Sequence, residues 1–267
     1  MDIRSIKAVF FSPTETTAKI VIKITQGINP DIITGINLTP PGATKNQNFG
    51  QLKDELTVIG TPVYAGRVPP EAVRRLRRIK GNNTPAVVVV VYGNRDYEDA
   101  LLELRDIATE LGFRPIAGGA FIGEHSYSNE TTQIAVGRPD DQDMEAAKRF
   151  GESIKGKIGQ VHTLDDIPAL HVPGNFPYKK WVERDAMAPV TVESLCTLCA
   201  ECVAACPTGA ITVADSVVTA ENECIRCCAC IKKCPTGARK WENAWIDQVR
   251  KWLNENCRQR KEPQIYL

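Results

Sequence analysis

Between Lys7 and Ile154 the chain alternates unbroken apolar runs with stretches whose apolar residues recur every three or four positions. Lys7–Phe11 (KAVFF) is the first run, β-rich and without polar alternation, as in a strand buried on both faces. Ala18–Gln26 follows, with Ala18, Val21, Ile22 and Ile24 at helical spacing. Asp31–Leu38, where Thr and Ile alternate, reads as a second strand, and Leu56–Gly60 (LTVIG) as a third. A basic helix, Glu71–Lys80, begins behind Pro69 and Pro70. Ala86–Val91 (AVVVVV) is the plainest strand, Ala100–Leu111 an amphipathic helix, and Phe113–Ile122 a fifth strand bent at Gly118–Gly119. Gly123–Arg138 reads as a long loop and Asp140–Ile154 as a closing helix. This alternation predicts an α/β fold, a doubly wound parallel sheet of five strands.

The pattern then changes. Gly156–Val190 has no sustained period and carries Pro168, Pro173, Gly174, Pro177 and Pro189, so it reads as a linker. A segment of that length is functional or ordered by packing, and Phe176, Tyr178 and Trp181 are there to pack it. Thr39–Gly50, rich in Pro, Gly and Asn, is a similar connection within the first unit. Beyond a cysteine-rich stretch, Trp241–Leu253 is an amphipathic helix with Trp241, Trp245, Val249, Trp252 and Leu253 on one face. The polar tail Gln259–Leu267 is expected to fray. The expected boundaries are 1–156 for the sheet domain, 157–190 for the linker, 191–240 for a small cysteine-rich domain and 241–267 for the last helix and tail.

Composition adds little to this picture. Apolar content of 43%, charged content of 24% and a net charge of +1 give no global field favouring nucleic acid or an anionic membrane. Asp2, Arg4 and Lys7 interrupt the start, which is therefore no signal peptide, and no run approaches the roughly 18 apolar residues of a membrane span. A cytoplasmic location is the expectation. There, thiols favour ligation over disulfides.

Eight of the ten cysteines fall in two copies of C-x2-C-x2-C-x3-C-P: Cys196, Cys199, Cys202, Cys206 and Pro207, then Cys224, Cys227, Cys230, Cys234 and Pro235. Each copy continues Thr-Gly-Ala, at a repeat of 28 residues. The run resembles that of bacterial two-cluster ferredoxins. That resemblance implies two [4Fe–4S] clusters with crossed ligands: Cys196, Cys199, Cys202 and Cys234 for one, Cys206, Cys224, Cys227 and Cys230 for the other. The small α+β domain would fold only when loaded. The competing reading, zinc sites of C-x2-C type, does not call for eight cysteines in a duplicated run. Cys228, beside Cys227, is surplus; it is either a buried thiol or a substitute ligand. Cys257 reads as an incidental thiol, and His125, His162 and His171 form no constellation. Arg74, Arg75, Arg77, Arg78 and Lys80 cover more than one helix face, either a solvated surface or a docking patch for an acidic redox partner.

In a doubly wound sheet, ligands sit off the carboxyl ends of the strands, so the loops there carry the information. After the first strand comes Ser12-Pro13-Thr14-Glu15-Thr16-Thr17, leading into a helix; the hydroxyls serve either as helix caps or as phosphate ligands. After the third comes Thr61–Pro70 (TPVYAGRVPP), and after the fourth Tyr92–Asp99 (YGNRDYED). Tyr64, Tyr92 and Tyr97 offer flat rings, and Gly66 and Gly93 permit close backbone approach.

Lys7–Ile154 thus resembles a flavodoxin. The family's phosphate loop, T/S-x-T-G-N-T, is matched at Ser12, Thr14 and Thr17, with Glu15 in place of Gly and Thr16 in place of Asn. The resemblance implies FMN binding by Ser12, Thr14, Thr16 and Thr17 at the phosphate. Thr61, Pro62, Val63, Tyr64, Ala65, Gly66 and Arg67, with Tyr92, Gly93, Asn94, Arg95 and Tyr97, would flank the ring. A Glu at the Gly position puts a carboxylate near a dianion and must point away.

The whole chain resembles flavodoxin–ferredoxin fusion proteins of anaerobes, a flavodoxin-like sheet followed by a two-[4Fe–4S] ferredoxin domain. The implied function is single-electron relay between FMN, two clusters and external redox proteins in anaerobic metabolism. No acid–base pair or nucleophile stands out, which suits a carrier better than an enzyme. An FMN-dependent oxidoreductase, with clusters feeding the flavin and Tyr64, Arg67, Arg95 or Tyr97 meeting a small substrate, is the alternative. A flavodoxin-like docking module without FMN is a third reading.

Overall fold

The computed structural model describes residues 4–43, 49, 51–52, 55–182 and 185–267. Residues 1–3, and residues 44–48 and 50 of the Thr39–Gly50 connection, lie outside the described residues, as do 183–184 of the linker. In chain order the first unit runs β1 (Ser5–Phe10), α1 (Thr16–Ile28), β2 (Ile32–Asn37), β3 (Gln51–Leu52), β4 (Leu56–Pro62), α2 (Pro70–Leu76), β5 (Lys80–Gly81), β6 (Thr84–Tyr92), α3 (Ala100–Glu110), β7 (Phe113–Ile122) and α4 (Asp141–Gly159). The five long strands pair in parallel in the order β7-β6-β4-β1-β2, the doubly wound order of flavodoxin-like folds. All nine residues of β6 are buried, because helices cover both faces of the central strand. Its valines divide between two cores: Val88 and Val90 pack with Leu101 and Leu104 of α3, Val87 and Val89 with Ile20 and Ile24 of α1 and Phe150 of α4. Helices α1 and α4 touch through glycines: a Cβ on Gly27 would lie 2.1 Å from the Lys148 carbonyl oxygen, and one on Gly151 2.2 Å from that of Ile24.

The second unit contains β8 (Val190–Thr191), α5 (Glu201–Ala205), β9 (Ile211–Val213), β10 (Val217–Thr219), α6 (Ala229–Lys232), β11 (Arg239–Lys240), α7 (Ala244–Asn256) and β12 (Gln264–Tyr266). β9 and β10 form a hairpin, and the antiparallel β8–β11 pair brings the two ends of the cysteine segment together.

Three expectations need correction. The five parallel strands stand as expected and gain a sixth, because the tail does not fray: β12 runs antiparallel to β7, with Ile265 opposite Gly119. A three-residue strand, Gln-Ile-Tyr, gains its place through backbone pairing at a sheet edge, which a side-chain pattern this short does not announce. Helix α4 runs to Gly159, past the Gly156 that suggests a linker start, because Ile158 continues the buried face of Ile154 into the core. Helix α7 starts at Ala244, not Trp241, because the Asn243 side chain accepts hydrogen bonds from the Trp245 and Ile246 N–H groups and caps it there.

The Pro-rich connection is ordered by packing. Ile167 and Leu170 join the two sheet cores, and Asp99 accepts hydrogen bonds from the Asn175 and Lys179 backbone N–H groups at 2.8 and 2.6 Å. The Arg67 guanidinium stacks 4.9 Å from the Tyr178 ring centroid and binds both Glu103 carboxylate oxygens at 2.7 Å.

Candidate functional site

The cysteine repeat folds into two hollows. One is lined by Cys196, Cys199, Cys202 and Cys234, the other by Cys206, Cys224, Cys227 and Cys230. The crossing arises because α5 and α6 pack side by side, so that each fourth cysteine falls beside the other repeat's first three. The loops preceding the two helices match in backbone as in sequence: Leu198 and Ala200, and 28 residues on Arg226 and Cys228, all have positive φ. Among the described residues no three His, Cys, Asp or Glu side chains close to the spacing of a single metal ion; the thiols surround hollows rather than a point.

The chemistry of the donor set fits [4Fe–4S] clusters, which take four thiolates each. The surroundings fit as well. The Ala210 N–H points at Cys206 Sγ, 3.3 Å away, and Arg239 Nη2 at Cys230 Sγ, 3.9 Å away. Arg239 Nε is buried without a partner among the described residues, at the wall of the first hollow. Donors of this kind stabilise sulfur carrying negative charge. Such clusters, when bound, supply one-electron carriers.

Cys228 also lines the second hollow, but its thiol is engaged elsewhere. Its Sγ accepts a hydrogen bond from Trp241 Nε1 at 3.2 Å, and it packs with Trp241 and Ile246. Burial pushes this thiol up to about 12, against the pull of the Trp241 hydrogen bond. In the first repeat its position is Ala200; both residues start a helix at the edge of their hollow.

A larger cavity of about 330 Å³ lies at the carboxyl ends of the parallel strands. Its floor comes from the loops after β1, β4, β6 and β7, and its roof from the cysteine segment and α7. Of the residues singled out by sequence, Thr14, Thr16, Pro62, Val63, Tyr64, Ala65, Tyr92, Gly93 and Arg95 line it. The others stand behind. Ser12 Oγ accepts the Ala18 N–H at 3.0 Å, a capping role for α1. The hydroxyls of Thr17 and Thr61 are buried without partners among the described residues. Gly66 turns at φ 83° against Glu98. The Asn94 side chain receives the Lys261 N–H and donates to the Cys257 and Gln259 carbonyls, and Tyr97 hydrogen-bonds the tail at Gln264 and Tyr266.

Flavin phosphate chemistry suits the floor. Thr16 and Thr17 open α1, so their N–H groups have no intrahelical partner, and Thr14 and Thr16 face the cavity. Glu15 adopts φ 67°, the conformation that a Gly takes most easily, and its carboxylate leaves the cavity to pair with Lys233 Nζ beside Cys234. Tyr64, on the cavity wall, lies near Cys227, Cys228 and Cys224; desolvation, then those thiols, raises its pKa well above the usual phenol value.

Sequence reasoning missed much of the wall: Glu124, His125 and Tyr127 after β7, Lys179 and Trp181 of the linker, Ile225 and Arg226 between cluster cysteines, and Trp245, Val249 and Trp252 of α7. The tryptophans carried a signal, but one that reads equally as packing. His125 packs beneath Gly93, where a Cβ would lie 2.4 Å from its ring, and its Nδ1 accepts the Tyr127 N–H at 3.0 Å. Desolvation, aided by Arg95 and Lys232, lowers its pKa to about 4.

The basic run on α2 also divides. Arg74 and Arg77 are exposed, whereas Arg75 is 1% exposed. Its guanidinium donates to the Leu38, Thr39 and Pro40 carbonyls, to Glu71 and, from the second unit, to Pro207 next to Cys206.

Residues 189–212 match the 4Fe–4S binding domain family. No curated protein matches the chain. Among solved structures, a flavodoxin from the domain Archaea is 15% identical, with 58% of this chain and 99% of that one covered at a TM-score of 0.37. Flavodoxin 1 from Bacillus cereus is 14% identical over 59% and 99% at 0.40. A Fusobacterium nucleatum flavodoxin bound to flavin mononucleotide is 17% identical over 58% and 99% at 0.39. The chain joins a sheet of flavodoxin-like strand order to a segment that matches the 4Fe–4S binding domain family. No helix among the described residues is long and apolar enough to cross a membrane.

Proposed function

We propose that this chain is an electron-transfer protein holding FMN in the cavity and a [4Fe–4S] cluster in each hollow. It would pass single electrons between these centres and an external one-electron redox protein in anaerobic metabolism. The observation that carries the reading is the cavity's construction: sheet-end loops form one wall and the cysteine segment the other. FMN, when bound, links two-electron to one-electron chemistry. The protein's part is to hold the phosphate at the start of α1, to enclose the ring between Tyr64, Tyr92 and the α7 tryptophans, and to direct N–H groups at thiolate sulfur.

The polar groups of the wall support a carrier over a substrate-reducing enzyme. Glu124 is paired with Lys232, Arg95 and Lys179 with Glu98, and His125 Nδ1 is engaged by the Tyr127 N–H. The decisive measurement is iron, sulfide and flavin content of anaerobically prepared protein, expected at about eight irons and one FMN per chain. Loss of all flavin on gentle purification and failure to rebind it would end the reading. Sustained turnover of one small acceptor would replace the carrier with a reductase.

A further inference from the structure

The two cysteine repeats are alike in sequence and backbone, which makes their differences informative. Position by position, Thr197 and Leu198 correspond to Ile225 and Arg226, and Leu198 and Arg226 share φ values of 56° and 58°. Their surroundings are opposite. Thr197, Leu198, Cys199 and Ala200 are exposed, while Ile225 and Arg226 are half-buried and Cys227 and Cys228 fully buried. Ile225 lines both the large cavity and the hollow of Cys206, Cys224, Cys227 and Cys230, so one side chain separates the two spaces. Among the described residues none lines both the large cavity and the hollow of Cys196, Cys199, Cys202 and Cys234.

We infer that the second repeat's loop is part of the flavin site, with Ile225 as the shared wall and Arg226 as a flavin-facing cation. This makes the cluster of Cys206, Cys224, Cys227 and Cys230 the flavin's neighbour and the other cluster the outward-facing one. The inference rests on the proposed FMN and cluster content. Arg226 is suited to the role because Arg95 and Lys179, the other cavity cations of the sheet unit and linker, are both paired with Glu98. Arg226 has no carboxylate partner among the described residues and faces a space where reduction of a flavin adds negative charge. Each transfer forms and breaks no bond. A two-electron-reduced flavin held here would give up its electrons one at a time, each reducing one ferric equivalent of the neighbouring cluster and passing by way of the outer cluster to the one-electron redox protein; the two protons of the neutral hydroquinone would go to water.

The test uses the full chain loaded anaerobically with iron, sulfide and FMN. Arg226→Leu, which installs the first repeat's residue, is expected to raise the FMN dissociation constant at least tenfold and to lower the flavin midpoint potential. Leu198→Ala, at the matched position, is expected to leave both within twofold. Unchanged FMN affinity and potential in Arg226→Leu would overturn the inference. Independently, Cys199→Ala removes a ligand of the outer cluster. With iron content reduced to that of one cluster, flash-photoreduced flavin is expected to pass its electron to iron within twofold of the wild-type rate. A drop of tenfold or more would reverse the assignment of near and far clusters. Loss of flavin from the wild-type chain would instead overturn the proposed function, and is seen separately in the flavin content.

Discussion

Glu15 holds a backbone conformation that costs a non-glycine residue about 1–2 kcal/mol, and its exposed pair with Lys233 returns at most about 1 kcal/mol. A glycine would remove the strain, lose the pair and add about 0.5–1 kcal/mol of chain entropy. The opposing terms nearly cancel, so Glu15→Gly is expected to change stability by less than about 1 kcal/mol in denaturant titration. Glu15→Val, β-branched at positive φ, should destabilise clearly. At His125 the pKa falls from 6.5 to about 4 in the folded chain, so the unfolded chain binds more protons between those values. Stability is therefore intact above pH 6.5 and declines as pH drops towards 4. His125→Gln should flatten that part of the profile when denaturation midpoints of variant and wild type are compared at pH 5 and pH 7.

Elements differed in how far the sequence disclosed them. The valine run of β6 and the Phe113–Ile122 strand were legible because a doubly buried strand needs an unbroken apolar sequence. The cysteine hollows were legible because ligand spacing is a local property. The cavity roof was not, since Trp181, Arg226 and Trp245 meet the sheet loops only through the docking of two units. Arg75 illustrates the same blindness: within a basic helix it resembles Arg74 and Arg77, yet it alone of the three is buried, held among carbonyls and Glu71. Leaving those acceptors without their cation is costly, by about 3–5 kcal/mol in comparable buried sites. Arg75→Ala is expected to lower the unfolding free energy by that order and to speed iron loss, through the Pro207 contact beside Cys206. Arg75→Lys should rescue little, because an ammonium cannot span the carbonyls of both units. Chemical denaturation and the rate of iron release to a chelator report the two effects.

At the scale of the whole molecule, the sheet receives both the beginning and the tail of the described chain. β12 covers the β7 edge, held by Asn94, by the Arg138 bond to the Lys261 carbonyl and by the Arg260–Asp140 pair. Deleting residues 258–267 is expected to uncover that edge and promote self-association, detectable by light scattering. An intact monomer-to-oligomer distribution after the deletion would show that the strand is dispensable for edge protection.

The position of β12 along the chain also sets a schedule. It lies downstream of every cluster cysteine, so during synthesis the sheet cannot close its β7 edge until both repeats have left the ribosome. Until then the cavity lacks the α7 roof that precedes β12. The sheet loops and both cysteine repeats are therefore made before the α7 wall that completes the cavity, and the β7 edge is paired last of all.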